Sequence, residues 1–224
     1  MLTPHDWQES VATRAQYVEA RLAGGSPVLA VSTQTGIIVF TMRRTGRKIY
    51  EIYDSLLFSG LGQQSDIEAL RTGAIDFAHQ EGYQRSEEDV TIQRVVNALS
   101  QPMKRAFGDF NYAPVVARGL FAEVGRTVEK DQFFLLDFDG DYTIRQEFGI
   151  LTGNPDSIDG IRDGMKALVG SKLTPEAVAA KLQQLWATLV DGNSAVSKNL
   201  VPEAAVLLRD PDAERKFRLL NLPA

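Results

Sequence analysis

One stretch, Gly25 to Gly62, restricts what this chain can fold into more than any other. It reads GSPVLAVSTQTGIIVFTMRRTGRKIYEIYDSLLFSGLG. Two short apolar runs, Val28–Val31 and Ile37–Phe40, flank the polar turn Ser32-Thr33-Gln34-Thr35-Gly36. That is the pattern of a tight β-hairpin, with Gly36 free to take the positive φ such turns demand. After the basic segment Arg43-Arg44-Thr45-Gly46-Arg47-Lys48 come two more runs, Ile49–Ile52 and Leu56–Ser59, closed by Gly60-Leu61-Gly62. Several closely spaced strands before any long central helix call for a mostly antiparallel sheet. Helices should then pack on it in blocks rather than alternate with single strands.

The flanking segments fit that plan. A helix is expected over residues 4–22, with Thr3 as cap, Pro4 in its first turn and a stripe of Trp7, Val11, Ala15, Val18 and Leu22. Gly24-Gly25 stops it. A second helix spans 63–81 with Gly82 just past its end. A third runs from Glu87 to Phe107, with Pro102 expected to kink its last turn. Strands return at Pro114–Val124 and Gln132–Phe138. The latter pairs with Tyr142–Phe148 through an Asp139-Gly140 turn. Two more helices follow, Asn154–Val169 and Thr174–Asp191. In the second, Thr174 caps, Pro175 takes the first position, and Val178, Leu182, Leu185 and Leu189 form the stripe. A hairpin of Ala205–Leu208 and Lys216–Leu219 turns through Asp210-Pro211-Asp212. Two packed sheets between two helical layers would bury all these faces, giving an α+β, four-layer αββα sandwich with an extra N-terminal helix.

With 44% hydrophobic and 24% charged residues over 224 positions, and no linker-like composition, a single domain is expected. Within it, 1–24 form a tail and leading helix, and 25–224 the sandwich. A net charge of −5 argues against a nucleic-acid partner, and no apolar run approaches a membrane span. The N-terminus lacks the form of a secretion signal, so the expected location is the cytoplasm. Without cysteine there is no disulfide and no thiolate chemistry. His5 and His79 have no ligand-spaced companions, so neither a metal nor a cofactor is expected. The run Asp137-Phe138-Asp139-Gly140-Asp141 lacks the rest of a calcium loop and reads as a turn. Gly60-Leu61-Gly62 fails as a dinucleotide fingerprint because Ser65 stands at the third glycine position.

Taken together, GGSPVLAVSTQTGIIVFT, RKIYEIYDSLLFSGLG and ALRTGAIDFAHQEGYQRSEEDVTIQRVVNALSQPMKRAF resemble proteasome core-particle subunits, in particular the α-type subunits of bacterial proteasomes. The resemblance runs nearly the whole chain and implies the Ntn-hydrolase αββα fold. It also implies a homo-heptameric outer ring, β-type subunits as partners, and a regulatory ATPase ring docked through its C-terminal tails. Residues Met1, Leu2 and Thr3 match the gating tail in a very short form. Ser26 falls where active β-type subunits expose a nucleophile after cleavage, an N-terminal residue whose free amine serves as base. Here Ser26 lies in mid-chain, and Met42 stands near where an aspartate would be, so the implied role is non-catalytic.

Lys48 matches a lysine that in β-type subunits tunes the nucleophile. In α-type rings it lies in the pocket between adjacent subunits and pairs with an activator's terminal carboxylate, and Gly25 and Gly60 match backbone positions lining that pocket. On the sequence alone, the favoured reading of Lys48 is an ordinary solvated lysine at the start of a strand; the pocket role is what the resemblance implies. Arg71 is a candidate subunit contact on the first central helix. Arg43, Arg44 and Arg47 form a small basic patch suited to an acidic activator tail. The competing reading is a self-processing peptidase in which residues 1–25 are removed, Ser26 attacks and Lys48 assists.

Overall fold

The runs Val28–Val31 and Ile37–Phe40 are uniformly apolar rather than alternating, and the computed structural model shows why. The model describes residues 4–191, 196 and 199–222. Strands β1 (Val28–Ser32) and β2 (Gly36–Arg43) pair antiparallel with Val31 opposite Ile38, and both of their faces are covered. Val28, Ala30, Ile37 and Val39 point into the space between two sheets, whereas Leu29, Val31, Ile38 and Phe40 face helices. A strand buried on both faces has no polar side to show. At the hairpin, Gly36 has φ +149°, and a Cβ there would lie 2.1 Å from the carbonyl oxygen of Leu207.

Two five-stranded antiparallel sheets form among the described residues. The first has the order β10-β9-β2-β1-β8 and the second β3-β4-β5-β6-β7. Their remaining strands are β3 (Ile49–Tyr53), β4 (Leu56–Gly62), β5 (Ala117–Glu123), β6 (Gln132–Leu136), β7 (Tyr142–Arg145), β8 (Phe148–Leu151), β9 (Val201–Leu208) and β10 (Phe217–Leu220). Helices α2 (Gln64–Gln84) and α3 (Ile92–Gly108) cover the second sheet through Ile67, Leu70, Val95 and Leu99. Helices α4 (Asp159–Leu168) and α5 (Pro175–Val190) cover the first through Ile161, Met165, Leu182 and Trp186. The result is the expected αββα sandwich with its additional leading helix. No helix of the described residues is long and apolar enough to cross a membrane.

The leading helix, α1 (Pro4–Leu22), is only partly a core element. Val18 and Leu22 are fully buried, inserted among Val28, Leu61, Val116 and Leu151 in the layer between the sheets. Trp7 is 45% exposed, so the expected stripe is buried only toward its C-terminal end. The upstream half is held sideways instead. The Arg14 guanidinium donates to the carbonyls of Ala106, Asp109 and Tyr112 at 2.9–3.0 Å, and the Trp7 ring meets Phe110 edge-on at 5.0 Å. A cation at the end of α3 satisfies carbonyls that the helix leaves open and matches its dipole.

Several boundaries differ from expectation. Helix α2 continues through Gly82, where a side chain would strike the Tyr53 hydroxyl 2.5 Å away; the glycine serves close packing rather than termination. The helix expected from Glu87 is broken. A 3₁₀ turn at Glu87–Asp89 precedes Val90, which turns into the core, and α3 starts only at Ile92, whose amide donates to the Glu123 carboxylate at 2.8 Å. That carboxylate on β5 supplies the cap that Thr91 does not. Helix α3 runs on past Pro102 to Gly108. Tyr142–Phe148 is two elements in two sheets: Tyr142 pairs with Leu136, whereas Phe148 opens β8 and pairs with Val31. The chain crosses between sheets at Gln146-Glu147. At the first residues of α5, Thr174 accepts from the Ala177 amide at 3.3 Å, and Pro175 follows as expected.

One buried ion pair joins the two sheets at the Ser32 end of β1. Asp131, fully buried, takes two bonds from Arg209 at 2.6 and 2.7 Å and one from the Gly125 amide at 2.8 Å, and it also bonds the Ser32 hydroxyl. Arg209 further donates to the Gly125 and Thr33 carbonyls at 2.7 and 2.8 Å. Every oxygen of this carboxylate is satisfied, as a buried charge requires.

Candidate functional site

At the opposite end of β1 the sequence places three polar groups where the backbone cannot avoid bringing them together. Ser26 leaves α1 and enters β1, Thr41 ends the buried part of β2, and Lys48 enters β3 after the arginine-rich loop. The Lys48 ammonium donates to the Ser26 carbonyl at 2.7 Å and to the Thr41 hydroxyl at 3.3 Å. The Thr41 hydroxyl is itself committed to the Pro27 carbonyl at 2.7 Å, which also accepts from the Trp186 indole at 3.0 Å. An ammonium has three N–H donors, so one remains for an arriving group.

Glu203 fixes this end of the loop from β9. Its carboxylate accepts the backbone amides of Lys48 at 2.9 Å and Ile49 at 3.3 Å, and it pairs with Arg43 at 3.5 Å. Its side chain is only 6% exposed. Burial raises the Glu203 pKa against the opposing pull of those amides, Arg43 and Lys48. Burial likewise lowers Lys48, to about 7, with the Glu203 charge acting against the shift. Lys48 as a residue is half-buried, keeping partial access to solvent. Near neutral pH its charge state is therefore balanced, and an anion delivered to it would favour the ammonium.

Above these groups lies a cleft of about 900 Å³, lined by Gly25, Ser26 and Lys48 and by the tip of the arginine-rich loop. Its walls are apolar where Ile67, Val116, Val196 and Leu200 meet it. Gly25 lies tight under Leu61, whose Cδ2 would be 2.6 Å from an added Cβ. Gly60 is placed differently. It faces α2, where an added Cβ would lie 2.7 Å from Ile67, itself a wall of the cleft. Arg71 turns back on its own chain, pairing with Glu68 at 2.8 Å over the Tyr50 ring at 4.8 Å. Met1, Leu2 and Thr3 lie outside the described residues. Sequence reasoning missed Glu203, which sits 155 positions from its amide partner Lys48. Only an acidic residue amid the otherwise apolar run Val201–Leu208 hinted at it.

The geometry does not equip Ser26 for attack. Its nitrogen is acylated by Gly25, its hydroxyl donates to the Met42 carbonyl at 2.6 Å, and the Lys48 ammonium engages its carbonyl rather than its hydroxyl. A serine nucleophile needs a group to take its proton, and the residue that would supply an amine has none free. Removing residues 1–25 would also strip Val18 and Leu22 from the inter-sheet core. The Lys48 ammonium is thus anchored on the Ser26 carbonyl and the Thr41 hydroxyl.

Comparison with known proteins places these observations in context. The proteasome subunit alpha of Paenarthrobacter aurescens is 29% identical over 215 residues, spanning 94% of this chain and 88% of its own length. That of Streptomyces coelicolor is 28% identical over 222 residues, 94% of this chain and 83% of the relative. A Jonesia denitrificans proteasome subunit alpha reaches 30% over 158 residues, 69% and 66% of the two chains. No protein-family model matches the chain.

Proposed function

Because the chain belongs to the α-type, non-catalytic subunits of the proteasome core particle, we propose that it builds the outer ring of such a particle. Seven copies close into a ring that templates a ring of β-type subunits, where peptide hydrolysis takes place. The ring narrows the axial pore and restricts substrate access. The protein works in the cytoplasm, in ATP-dependent protein degradation. Its contribution is geometric, keeping folded proteins out of the proteolytic chamber.

The Lys48 cleft is the docking pocket for a regulatory ATPase. A C-terminal tail lays its last residues against Ile67 and Val116 and places its terminal carboxylate on the Lys48 ammonium, a charge-assisted contact. The observation that carries this reading is the lysine itself. It is held by Ser26 and Thr41 beneath a cleft of about 900 Å³, with a donor to spare. Lys48→Ala should weaken ATPase docking and ATPase-stimulated degradation at least about tenfold, the scale for removing one partner of a partly buried charge pair. The ring should assemble with unchanged mass. Docking that is indifferent to this substitution refutes the pocket.

A further inference from the structure

The cleft carries more positive charge than a lone carboxylate requires. Arg43 is engaged by Glu203 and by its own bond to the Thr45 carbonyl at 2.8 Å. Arg44 and Arg21, in contrast, have no ion partner or hydrogen bond among the described residues, and both are exposed at the rim of the same cleft. They come from separate elements, the β2–β3 loop and the last turn of α1. The rim is thus cationic on a chain whose net charge is −5. Two unpaired arginines above an apolar-walled slot with a lysine at its base form a graded surface. It has one charge for the end of a peptide, an apolar stretch for its last side chains, and two charges for what precedes them.

We propose that this surface selects an acidic peptide: a segment with a free terminal carboxylate, one or two apolar residues before it, and aspartates or glutamates upstream, facing Arg44 and Arg21. The proposal rests on the docking role of the Lys48 cleft and adds the chemistry of the partner. Lys48 takes the carboxylate, and the two arginines read the upstream acids. Each exposed arginine is screened, so each contributes modestly. Exposed charge pairs change affinity about two- to fivefold, and two together reach about tenfold at low salt. Their larger effect is on association rate, because the rim attracts acidic tails before contact and does not attract basic or neutral ones.

The test uses the assembled particle and three synthetic octapeptides with a fluorescent N-terminal label. The first has four glutamates followed by serine, glycine, serine and leucine with a free carboxylate. The second replaces the glutamates with glutamines, and the third is the acidic peptide with an amidated end. Binding is measured by anisotropy in about 50 mM and about 500 mM salt. The acidic peptide should bind about tenfold tighter than the glutamine peptide at low salt, with the ratio falling below about threefold at high salt. In particles carrying Arg44→Gln and Arg21→Gln the ratio should fall to near one, with the glutamine peptide's own affinity unchanged. Equal binding of acidic and glutamine peptides, with the amidated one still weaker, overturns the acid selectivity but leaves the carboxylate pocket. Equal binding of the free and amidated acidic peptides removes the carboxylate from the site. An acidic preference that survives both arginine substitutions assigns it elsewhere and overturns the proposal.

Discussion

Lys48→Met replaces the ammonium with an uncharged chain of similar length, and its signature should be a changed dependence of stability on pH. The Lys48 pKa is 10.5 in the unfolded reference and about 7 in the folded protein, lowered chiefly by burial. Between those values the unfolded chain holds a proton that the folded chain does not, so stability must rise with pH across the window. Below about 7 both states are protonated and the penalty is constant; above 10.5 both are neutral. The limiting slope is about 1.4 kcal/mol per pH unit for one full proton. Because Lys48 keeps some solvent contact, about half of that limit is expected, so wild type should gain about 1–2 kcal/mol over Lys48→Met between about pH 7.5 and 9.5. Urea unfolding at fixed protein concentration reads the difference directly. Loss of the bonds to Ser26 and Thr41 offsets the two curves vertically without changing their divergence. Parallel pH profiles would refute the account, because they would mean that Lys48 is as freely hydrated when folded as when unfolded.

Three further outcomes follow from the packing. Asp131→Ala leaves Arg209 buried without its carboxylate, and urea unfolding should show a loss of about 3–5 kcal/mol, with Ser32→Ala much milder. Gly36→Ala forces a Cβ toward the Leu207 carbonyl at a positive φ, and should cost more than about 1 kcal/mol in the same assay. Leu22→Ala should cost about 2–5 kcal/mol, the range for truncating a fully buried leucine. A negligible cost at Leu22 would show that α1 is dispensable to the core.

The elements most legible in the sequence were those whose cause is local. The hairpin of β1 and β2, the Thr174-Pro175 start of α5 and the final hairpin all follow from turn chemistry and periodicity within a few residues. The misplacements arise where a distant partner decides. Gly82 reads as a stop but is a contact with Tyr53, and α3 begins where Glu123 caps it. The division between β7 and β8 depends on which sheet each half finds, because β1 offers Phe148 an unpaired edge that no local signal announces. In the cleft, Lys48 and Gly25 were nameable through resemblance. Glu203 and the Asp131–Arg209 pair were not, since each joins segments far apart in the chain. The isolated polar residue inside an apolar strand was the one available clue.

The central claim is that Ser26 stays an internal residue, its nitrogen in a peptide bond and α1 packed permanently into the core. An intact-mass measurement on the subunit, taken from particles purified from the cell that makes them, tests it most directly. The account predicts a chain that retains residues upstream of Ser26, including the whole of α1. A mature polypeptide that begins at Ser26 would contradict it.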